Sequence, residues 1–371
     1  MHKMKELIIL YPSYDSGGAT QNLVNFINFC SKKKIKLTFI SNIKKKHIFF
    51  SNKKNIKLIS LNKGLLSKFN NRYLTSFNSI IKLLSLFNKK NSKNLIVFSF
   101  QSHILPILIC KLFSIKIIIR NSEDAYDATK YADNKFGAYI SLFLKFIFYR
   151  FADGIITNSQ KSQKSLEKIV KKKVKLIYNP YLKSLYNIKL EKRKKNILSV
   201  GRLTKQKNQI IILRAFKFFL KSFPDYKLIL IGHGKDYNKL RNLAFNIGIK
   251  KNVEFLGWKK NLKKFYLSSK IFVFPSLYEG LPNALIDSVN YNLPPISSKC
   301  SGADDILGKD FRYFVSRDNY EDLSKKMIKL INNYSLNLNQ LKKIRNNLNR
   351  FLIEEQSLKY LNYCNEIFKK K

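Results

Sequence analysis

Two short segments in the second half of the chain combine cations, a carboxylate and glycines directly after strand-like apolar runs. Residues 201–207 read Gly-Arg-Leu-Thr-Lys-Gln-Lys, and residues 275–287 include Glu279 and Gly280. Arginine and lysine bind phosphate oxygens, and an ionised carboxylate accepts hydrogen bonds from hydroxyl groups. The two segments together predict a pocket for a diphosphate joined to a polyol, which is the chemistry of a nucleotide sugar.

Gly201, Arg202 and Lys207 are the candidate groups for the diphosphate. Gly201 ends a predicted strand and lets the backbone approach a ligand closely. Arg202 can hold phosphate oxygens through two hydrogen bonds, while Lys207 acts as a point charge. A departing diphosphate gains negative charge as its bond to a sugar breaks, so fixed cations at this place would stabilise it.

The helix predicted after Glu279 offers further anion-binding atoms at its start. Pro282 suits the first helical position, where no amide hydrogen is needed. The backbone amides around Leu281, Asn283 and Ala284, together with the helix dipole, predict an anion site. Asp287 lies two helical turns beyond the loop, on a helix expected to point into the same region. The alternative is a solvated turn with an ordinary helix cap.

The first half of the chain offers three weaker candidates. Gly17 and Gly18 lie in a loop after the first apolar run, and His103 follows a predicted strand over residues 95–100. A lone histidine is more often a structural hydrogen-bonding residue than a catalytic one, so both interpretations stay open for His103. Residues 120–123, Arg-Asn-Ser-Glu, either meet an acceptor or form a surface loop.

Apolar runs alternate with helical patterns along the chain, which indicates parallel sheets covered by helices on both faces. Strands are predicted at residues 7–11, 37–41, 56–61, 95–100, 115–119, 154–158, 174–178, 196–200, 227–231, 253–255, 271–275 and 293–297. Helices are predicted at residues 20–31, 73–87, 104–113, 208–221, 237–247, 262–268, 283–290, 320–332 and 358–371. We therefore predict an α/β protein of two facing Rossmann-like, doubly wound domains, residues 1–185 and 186–355. Residues 356–371 are expected to form a helix that packs back towards the first domain.

Length, cysteine content and the first residues restrict the number of domains, the kind of site and the location that can be expected. A length of 371 residues suits two domains. The four cysteines are far apart and form no CxxC pair, which argues against a disulfide framework or a zinc site and fits a reducing compartment. The first residues lack the pattern of a secretory signal, so we expect a cytoplasmic location.

The formal net charge of +48 favours anionic partners. Lysine, asparagine and isoleucine are abundant throughout, which indicates a biased composition rather than a selected nucleic-acid-binding patch. Residues 139–151 are rich in aromatic and aliphatic side chains and carry Lys145 and Arg150. This segment is too short and too charged to span a bilayer. It belongs either to a membrane interface or to the core of the first domain.

Several motifs resemble those of the retaining glycosyltransferases of family 4, which have the GT-B fold. They follow the order of that family over nearly the whole chain. The matching segments are residues 17–19, 152–159, 177–180, 201–207, 231–234, 253–257, 275–287 and 301–307.

The resemblance implies a role for each candidate residue. Arg202 and Lys207 would hold the donor diphosphate, and Glu279 would contact the hexose hydroxyls. His103 would lie close to the donor sugar. Members of the family usually carry a glutamate at the position of Asp287, where it binds the ribose, so the shorter aspartate is a departure from the pattern.

The resemblance also implies the rest of the donor site. Gly17 and Gly18 would let the first-domain loop approach the donor phosphates and the acceptor. The backbone from Gly280 through Pro282 to Ala284 would contact phosphate and sugar. The leaving phosphate itself would take the acceptor proton in a front-face attack.

These observations predict the retaining transfer of a hexose or N-acetylhexosamine from a UDP-sugar to a glycan acceptor. The expected acceptor is linked to a polyprenyl diphosphate and belongs to surface polysaccharide biosynthesis. We expect peripheral association with the anionic cytoplasmic face of the inner membrane, and no nucleic-acid partner. We predict no cofactor beyond the nucleotide sugar and no essential metal, because no Asp-x-Asp pair occurs in the sequence.

Three alternatives stay open. A basic nucleic-acid-binding protein would explain the charge but would not require the Glu279 segment. A sugar-nucleotide epimerase with the GT-B fold would share the donor pocket and need no acceptor. A glycogen-type synthase using ADP-glucose has no supporting motif in the sequence.

Overall fold

The computed structural model describes residues 4, 6–14, 17–43, 54–61, 72–89, 94–186 and 193–370. The chain forms two compact units, Met1–Lys183 with Arg350–Lys371, and Ser184–Asn349. Residues 350–355, predicted in the second domain, lie in the first unit. Backbone hydrogen bonds hold these residues to the first unit: the amides of Tyr181 and Leu182 both donate to the carbonyl of Phe351.

The first unit is built on a parallel sheet. Its strands are β1 Glu6–Leu10, β2 Leu37–Ser41, β3 Ile56–Ser60, β4 Leu95–Ser99, β5 Lys116–Asn121, β6 Gly154–Thr157 and β7 Lys175–Leu176. Within the described residues they form a seven-stranded sheet in the order β3-β2-β1-β4-β5-β6-β7. In register, Leu7 of β1 pairs with Leu37 of β2 and with Ile96 of β4. Strands β1, β2 and β4 are buried along their full length, as expected for central parallel strands.

Helices cover both faces of this first sheet. They are α1 Gly18–Lys32, α2 Arg72–Lys89, α3 Ile104–Leu112, α4 Ala125–Lys130, α5 Lys135–Phe148 and α6 Gln160–Val170. One apolar cluster includes Phe26 of α1 and Phe98 of β4. The other includes Leu83 of α2, Ile107 of α3 and Leu166 of α6. The two clusters are the two sides of a doubly wound sheet.

The second unit repeats this architecture. Its strands are β8 Asn196–Val200, β9 Lys227–Ile231, β10 Val253–Phe255, β11 Ile271–Phe274, β12 Pro295–Ser298 and β13 Phe314–Val315. In the part of the chain that the structure describes they form a six-stranded parallel sheet in the order β10-β9-β8-β11-β12-β13. Its helices are α7 Gln209–Ser222, α8 Tyr237–Asn246, α9 Lys263–Ser268, α10 Asn283–Asn290, α11 Ala303–Leu307, α12 Tyr320–Asn332 and α13 Tyr334–Asn346. The carboxyl ends of β9, β8, β11 and β12 therefore lie side by side at one edge of the sheet.

The last helix, α14 Ile353–Lys369, packs on the first unit. Tyr360, Cys364 and Ile367 are buried in the same apolar cluster as Phe26 and Phe98. The ring of Tyr360 lies 5.4 Å from that of Phe26 and 5.6 Å from that of Phe98, measured between centroids. The apolar face of α14 is thus part of the core of the first unit.

The four cysteines are Cys30, Cys110, Cys300 and Cys364, and all are free and buried. Burial raises the pKa of each thiol above its ordinary value, to about 12 for Cys30 and for Cys300. A buried thiol with a raised pKa is protonated at neutral pH, and the thiolate is the reactive form. The cysteines of this chain are therefore packing residues.

Arg193 ties the segment before β8 to the ends of helices α9 and α10. One terminal nitrogen of its guanidinium donates to the carbonyls of Tyr266, Leu267 and Ser269 at 2.6, 3.1 and 2.8 Å. The other donates to the carbonyls of Tyr291 and Asn292 at 2.7 and 3.1 Å. A single side chain thus satisfies carbonyls at the ends of two helices, and loss of a partner for buried carbonyls is costly.

We predict that Arg193→Met lowers the free energy of unfolding of the second unit by about 3 kcal/mol, because buried carbonyls lose their donors. The measurement is native-state hydrogen exchange of amides in β8 and β11. Lys195→Met is the matched control, because Lys195 is exposed and binds Asp225 at the surface. Equal protection in the two variants would contradict this role of Arg193.

Candidate active site

The two sequence segments meet in the second unit, at the carboxyl ends of the adjacent strands β8 and β11. The side chain of Gln206 joins them, since its amide donates to the carbonyl of Tyr278 at 2.9 Å and its oxygen accepts from Arg202 at 3.2 Å. The amide of Leu277 donates to the carbonyl of Gln206 at 2.8 Å. The structure therefore brings together Arg202, Lys207 and Glu279, as the sequence predicts.

Lys207 and Glu279 form an ion pair within this site. The ammonium group donates to the Glu279 carboxylate, and the two side chains are 16% and 12% exposed. Ser276 donates to the same carboxylate oxygen at 2.6 Å, and the Lys207 nitrogen lies 4.9 Å from the centre of the Phe274 ring. The pair is thus partly desolvated and held in place by hydrogen bonds, whereas Arg202 is exposed. A cation and a carboxylate presented side by side suit a ligand with both phosphate and hydroxyl groups.

Two glycines after β9 allow residues 201–207 to lie close to the turn that follows β9. A Cβ at Gly232 would lie 1.9 Å from the carbonyl oxygen of Gly201, and one at Gly234 would lie 2.1 Å from that of Leu203. The amide of Leu203 donates to the carbonyl of His233 at 2.9 Å. The position of the segment that carries Arg202 therefore depends on the absence of side chains at these glycines.

A third glycine, in the loop after β12, allows that loop to pack against the backbone beside Glu279. Gly302 has a φ of +77°, and a Cβ there would lie 2.2 Å from the carbonyl oxygen of Gly280 and 2.8 Å from the Cα of Leu281. Ser298 of β12 donates to the carbonyl of Ser276 at 2.5 Å. Loops after four strands of the sheet thus converge around Glu279.

The start of α10 differs in one detail from the prediction. Pro282 was predicted at the first helical position, but it is the N-cap, with φ −79° and ψ 102°, and Asn283 begins the helix. The carbonyl of Pro282 accepts from the amides of Leu285 at 3.0 Å and Ile286 at 3.3 Å, and the second of these is the first intrahelical bond that an N-cap carbonyl accepts. Pro282 thus lies one helical position earlier than predicted, at the N-cap and not at the first residue of the helix. Proline fits both positions, because it sacrifices no helical hydrogen bond at either.

Leu281, Asn283 and Ala284 surround the start of α10, as predicted. Asp287 lies one turn beyond Asn283, the first residue of α10, and not the predicted two turns beyond the loop; it is half-buried. Its charge is felt by Tyr266, whose pKa is raised by burial and by the Asp287 carboxylate. Asp287 is therefore close enough to Tyr266 to affect its pKa. The predicted contact of Asp287 with a ribose stays a prediction.

The sequence reasoning missed three residues that shape the site. Gln206 and Ser276 lie inside the two recognised segments, but their types alone gave no reason to single them out. Asn208 has a φ of +56° and donates to the carbonyl of Arg317 at 2.6 Å. A left-handed asparagine directly after a basic turn is a signal that could have marked it.

In the first unit, Gly17 is the N-cap of α1 and Gly18 is its first residue. They follow β1, as predicted, and no side chain caps the helix at Gly17. The carbonyl of Gly17 accepts from the amide of Gln21 at 3.2 Å. Gly17 is half-buried and Gly18 is exposed. The predicted role of these glycines at the donor phosphates stays a prediction.

His103 is buried at the start of α3. Its Nδ1 lies 2.9 Å from the hydroxyl of Ser99, and its ring meets that of Tyr149 edge-on at 5.5 Å. Burial above all, together with the positive charges of Lys145 and Arg120, lowers the pKa of His103 to about 3, while a hydrogen bond to the Arg120 backbone acts in the opposite direction. The imidazole is neutral at neutral pH, as a structural histidine would be, and a role in catalysis stays a prediction.

Arg120 is not a surface residue, although a surface loop was one interpretation of its segment. Its side chain is buried and donates to Tyr360 of α14 at 2.8 Å, to Ser122 and to Asn179. The guanidinium carbon lies 5.4 Å from the centre of the Phe100 ring. Arg120 therefore links the sheet of the first unit to its last helix.

Residues 185–350 match the family model described as "Glycosyl transferases group 1". The chain is 38% identical to an uncharacterized glycosyltransferase of Methanocaldococcus jannaschii over 226 residues, which are 55% of this chain and 54% of that protein. It is 27% identical over 312 residues to a Campylobacter jejuni protein, over 82% of each chain. That protein is named GalNAc-alpha-(1->4)-GalNAc-alpha-(1->3)-diNAcBac-PP-undecaprenol alpha-1,4-N-acetyl-D-galactosaminyltransferase. The chain spans about half of the length of the first of these relatives.

Among solved structures, the chain is similar to Anabaena HepE in complex with UDP and glucose. The TM-score is 0.77 at 13% sequence identity, and the match covers 98% of this chain and 100% of that one. Identity at this level shows the fold alone. It confirms the predicted class of two Rossmann-like, doubly wound domains of the GT-B type.

We predict that Gly302→Ala distorts the loop around Gly280 and lowers the free energy of unfolding of the second unit by about 2 kcal/mol more than Gly248→Ala. Gly248 has a similar φ of +79° but nothing within 4 Å of an added Cβ, so it controls for backbone strain alone. Urea unfolding followed by hydrogen exchange of the second unit measures the difference. Equal losses in both variants would show that the contact with Gly280 is unimportant.

We predict a pH-dependent contribution of His103 to stability. Its pKa is lower in the folded state than the ordinary 6.5, so the unfolded state binds more protons between pH 6.5 and 3. The contribution is complete above pH 6.5 and is lost as the pH falls towards 3. The stability advantage of the wild type over His103→Gln should shrink by about 2 kcal/mol between pH 7 and pH 5. Hydrogen exchange of β4 amides at the two pH values measures it, and an unchanged advantage would contradict the buried, neutral imidazole.

Proposed function

We infer the activity of this chain from its second unit, which matches the family model of the glycosyl transferases group 1. We propose that the protein transfers a hexose or N-acetylhexosamine from a UDP-sugar to a glycan acceptor, with retention of configuration. The observation that carries the proposal is the Lys207–Glu279 pair beside Arg202, at the carboxyl ends of β8 and β11. In open α/β sheets this edge is where ligands bind.

The chemistry assigns a part to each group. Arg202 and Lys207 neutralise the diphosphate as its bond to the sugar breaks, and the start of α10 adds the positive end of a helix dipole. The Glu279 carboxylate accepts hydrogen bonds from the sugar hydroxyls and orients the ring. Lys207 also holds Glu279 in position. This one cation therefore acts on the diphosphate directly and on the sugar through Glu279. The fixed cations take the place of a divalent metal, which we propose is not required.

The donor nucleotide is proposed from the relatives and not from the site alone. The HepE structure contains UDP and glucose, and a uridine nucleotide is the natural first choice for this chain. Contacts to the base and to the ribose, including the predicted contact of Asp287, belong to this proposal.

The acceptor is proposed to be a glycan linked to a polyprenyl diphosphate in surface polysaccharide biosynthesis. The C. jejuni relative is named for an undecaprenol diphosphate acceptor, and its match covers both units of this chain. Such an acceptor lies in a membrane, so we propose that the protein works peripherally at the cytoplasmic face of the inner membrane. No helix in the described ranges is long and apolar enough to cross a bilayer.

The test is a donor screen with the purified protein. UDP-, ADP- and GDP-sugars are incubated with and without lipid-linked glycan extracts, in the presence and absence of EDTA, and nucleoside diphosphate release is measured. We expect release from a UDP-sugar that depends on the acceptor and survives EDTA. Conversion of a UDP-sugar without an acceptor would indicate an epimerase instead, and salt-sensitive RNA binding without donor binding would indicate a nucleic-acid-binding protein.

We predict that Arg202→Ala and Lys207→Ala each lower turnover by about 10²–10³-fold, because each removes a preorganised charge from the leaving diphosphate. Lys205→Ala is the matched control, since Lys205 is exposed on the same short turn. Turnover is measured with the donor found in the screen, and circular dichroism checks that the variants are folded. Wild-type turnover in either site variant would refute the assignment.

A further inference from the structure

Helix α5 carries an apolar stripe that faces away from the core of the first unit. Phe136, Tyr139, Phe143 and Phe146 recur at helical spacing and are 77%, 61%, 60% and 38% exposed. None of the residues of α5 is fully buried. The inner side of the helix contacts the core through Leu142. An amphipathic helix normally turns its apolar stripe inwards, so α5 has a second apolar side that no described part of the chain buries.

The neighbouring helix α3 extends this surface. Its residues Leu105, Leu108 and Leu112 also recur at helical spacing and are 46%, 43% and 77% exposed. Helix α3 contacts both α2 and α5, and α2 exposes Phe77 and Ile81. Three adjoining helices of the first unit thus present large apolar side chains to solvent. Contiguous apolar patches of this kind mark sites of interaction with proteins or membranes.

The charged side chains of the three helices themselves have one sign. The sequence contains no aspartate or glutamate from residue 16 to residue 122, which includes α2 and α3, and none from residue 135 to residue 151. Arg150 is exposed, and its guanidinium carbon lies 5.2 Å from the centre of the Phe146 ring and 5.8 Å from that of Phe151. Aromatic rings beside an arginine suit the headgroup zone of a bilayer, where the ring enters and the cation meets lipid phosphate.

We propose that the outer sides of α2, α3 and α5 form a face that docks on an anionic lipid bilayer. We call this face the α2–α3–α5 face. Its rings and leucines enter the boundary between headgroups and acyl chains, and its lysines and arginines attract anionic lipids. The inference rests on the proposed function in one respect, since a lipid-linked acceptor gives the docking its purpose. It assigns to the first unit the surface that brings the protein to that acceptor.

A second copy of the chain is the other occupant that this face could accept. A formal net charge of +48 on each copy opposes self-association through a surface whose three helices carry no acidic residue. An anionic bilayer meets the same surface with the opposite charge. The charge therefore favours lipid over a homodimer.

The experiment is vesicle flotation with the full chain. Wild type and Phe136→Ser/Phe143→Ser are mixed with vesicles of equimolar phosphatidylglycerol and phosphatidylcholine, and with phosphatidylcholine alone. The control is Phe245→Ser/Leu336→Ser, which removes two apolar side chains of the second unit that are 66% and 63% exposed. We expect wild type and control to float with the anionic vesicles, and the α5 variant to bind about tenfold more weakly. All three proteins should remain in solution with phosphatidylcholine alone at physiological salt.

Equal binding of the α5 variant and the control would overturn the proposal, because it would mean that the general positive charge accounts for binding. Failure of the wild type to float would overturn it as well. Sedimentation velocity without lipid provides a further check, since a dimer that the α5 variant abolishes would assign the face to a second copy. Binding of UDP, measured by equilibrium dialysis on the same preparations, separates this inference from the proposed function. Normal UDP binding without flotation rejects only the docking face, whereas flotation without UDP binding rejects only the donor assignment.

Discussion

The site in the second unit depends on the close approach of backbone to backbone at the carboxyl edge of its sheet. Gly232 and Gly234 lie so near the carbonyls of Gly201 and Leu203 that any side chain would overlap them. Gly302 stands in the same relation to Gly280. The loops that carry the cations and the carboxylate can therefore be short and tightly bonded to one another. A site built in this way holds its charges in place before any ligand arrives, which is the condition for electrostatic stabilisation of a leaving group.

The Lys207–Glu279 pair has a cost as well as a use. Two partly desolvated charges stabilise a protein little, since the loss of hydration offsets their attraction. The bonds from Ser276 to Glu279, and the ring of Phe274 beside Lys207, reduce that cost. The role of the pair is therefore to fix the positions of the two charged groups in a binding site, and not to stabilise the fold. The extensive packing of strands β8, β9 and β11 supplies the stability that the site itself does not.

Much of the second unit could be predicted from the sequence, because its central strands are short runs made mainly of apolar residues. The strands at residues 196–200, 227–231 and 253–255 and the helix at residues 283–290 have the predicted bounds. The two-residue strand Phe314–Val315 has no such run and was missed. The meeting of Arg202 with Glu279 followed from strand order. The bonds of Gln206 and Ser276, and the position of Pro282 as an N-cap, depend on tertiary contacts that no local pattern records.

In the first unit, the sequence left two questions that only packing could answer. The segment at residues 139–151 has apolar residues on more than one side, so periodicity alone could not say which side meets the core. The structure turns Leu142 inwards and Phe143 outwards. Arg120 was ambiguous for a similar reason, because an arginine after a strand can point either to solvent or into a network. Its partner Tyr360 lies on α14, 240 residues further along the chain, and no short-range pattern connects the two.

The burial of the four native thiols has a practical consequence for studying the molecule. Thiol-directed reagents attack the thiolate, and Cys30, Cys110, Cys300 and Cys364 are protonated and shielded while the chain is folded. One cysteine introduced at an exposed position would therefore take up a maleimide dye or a spin label selectively, with the native residues left in place. A label on one unit at a time would report the local motion of that unit in a protein of unaltered core.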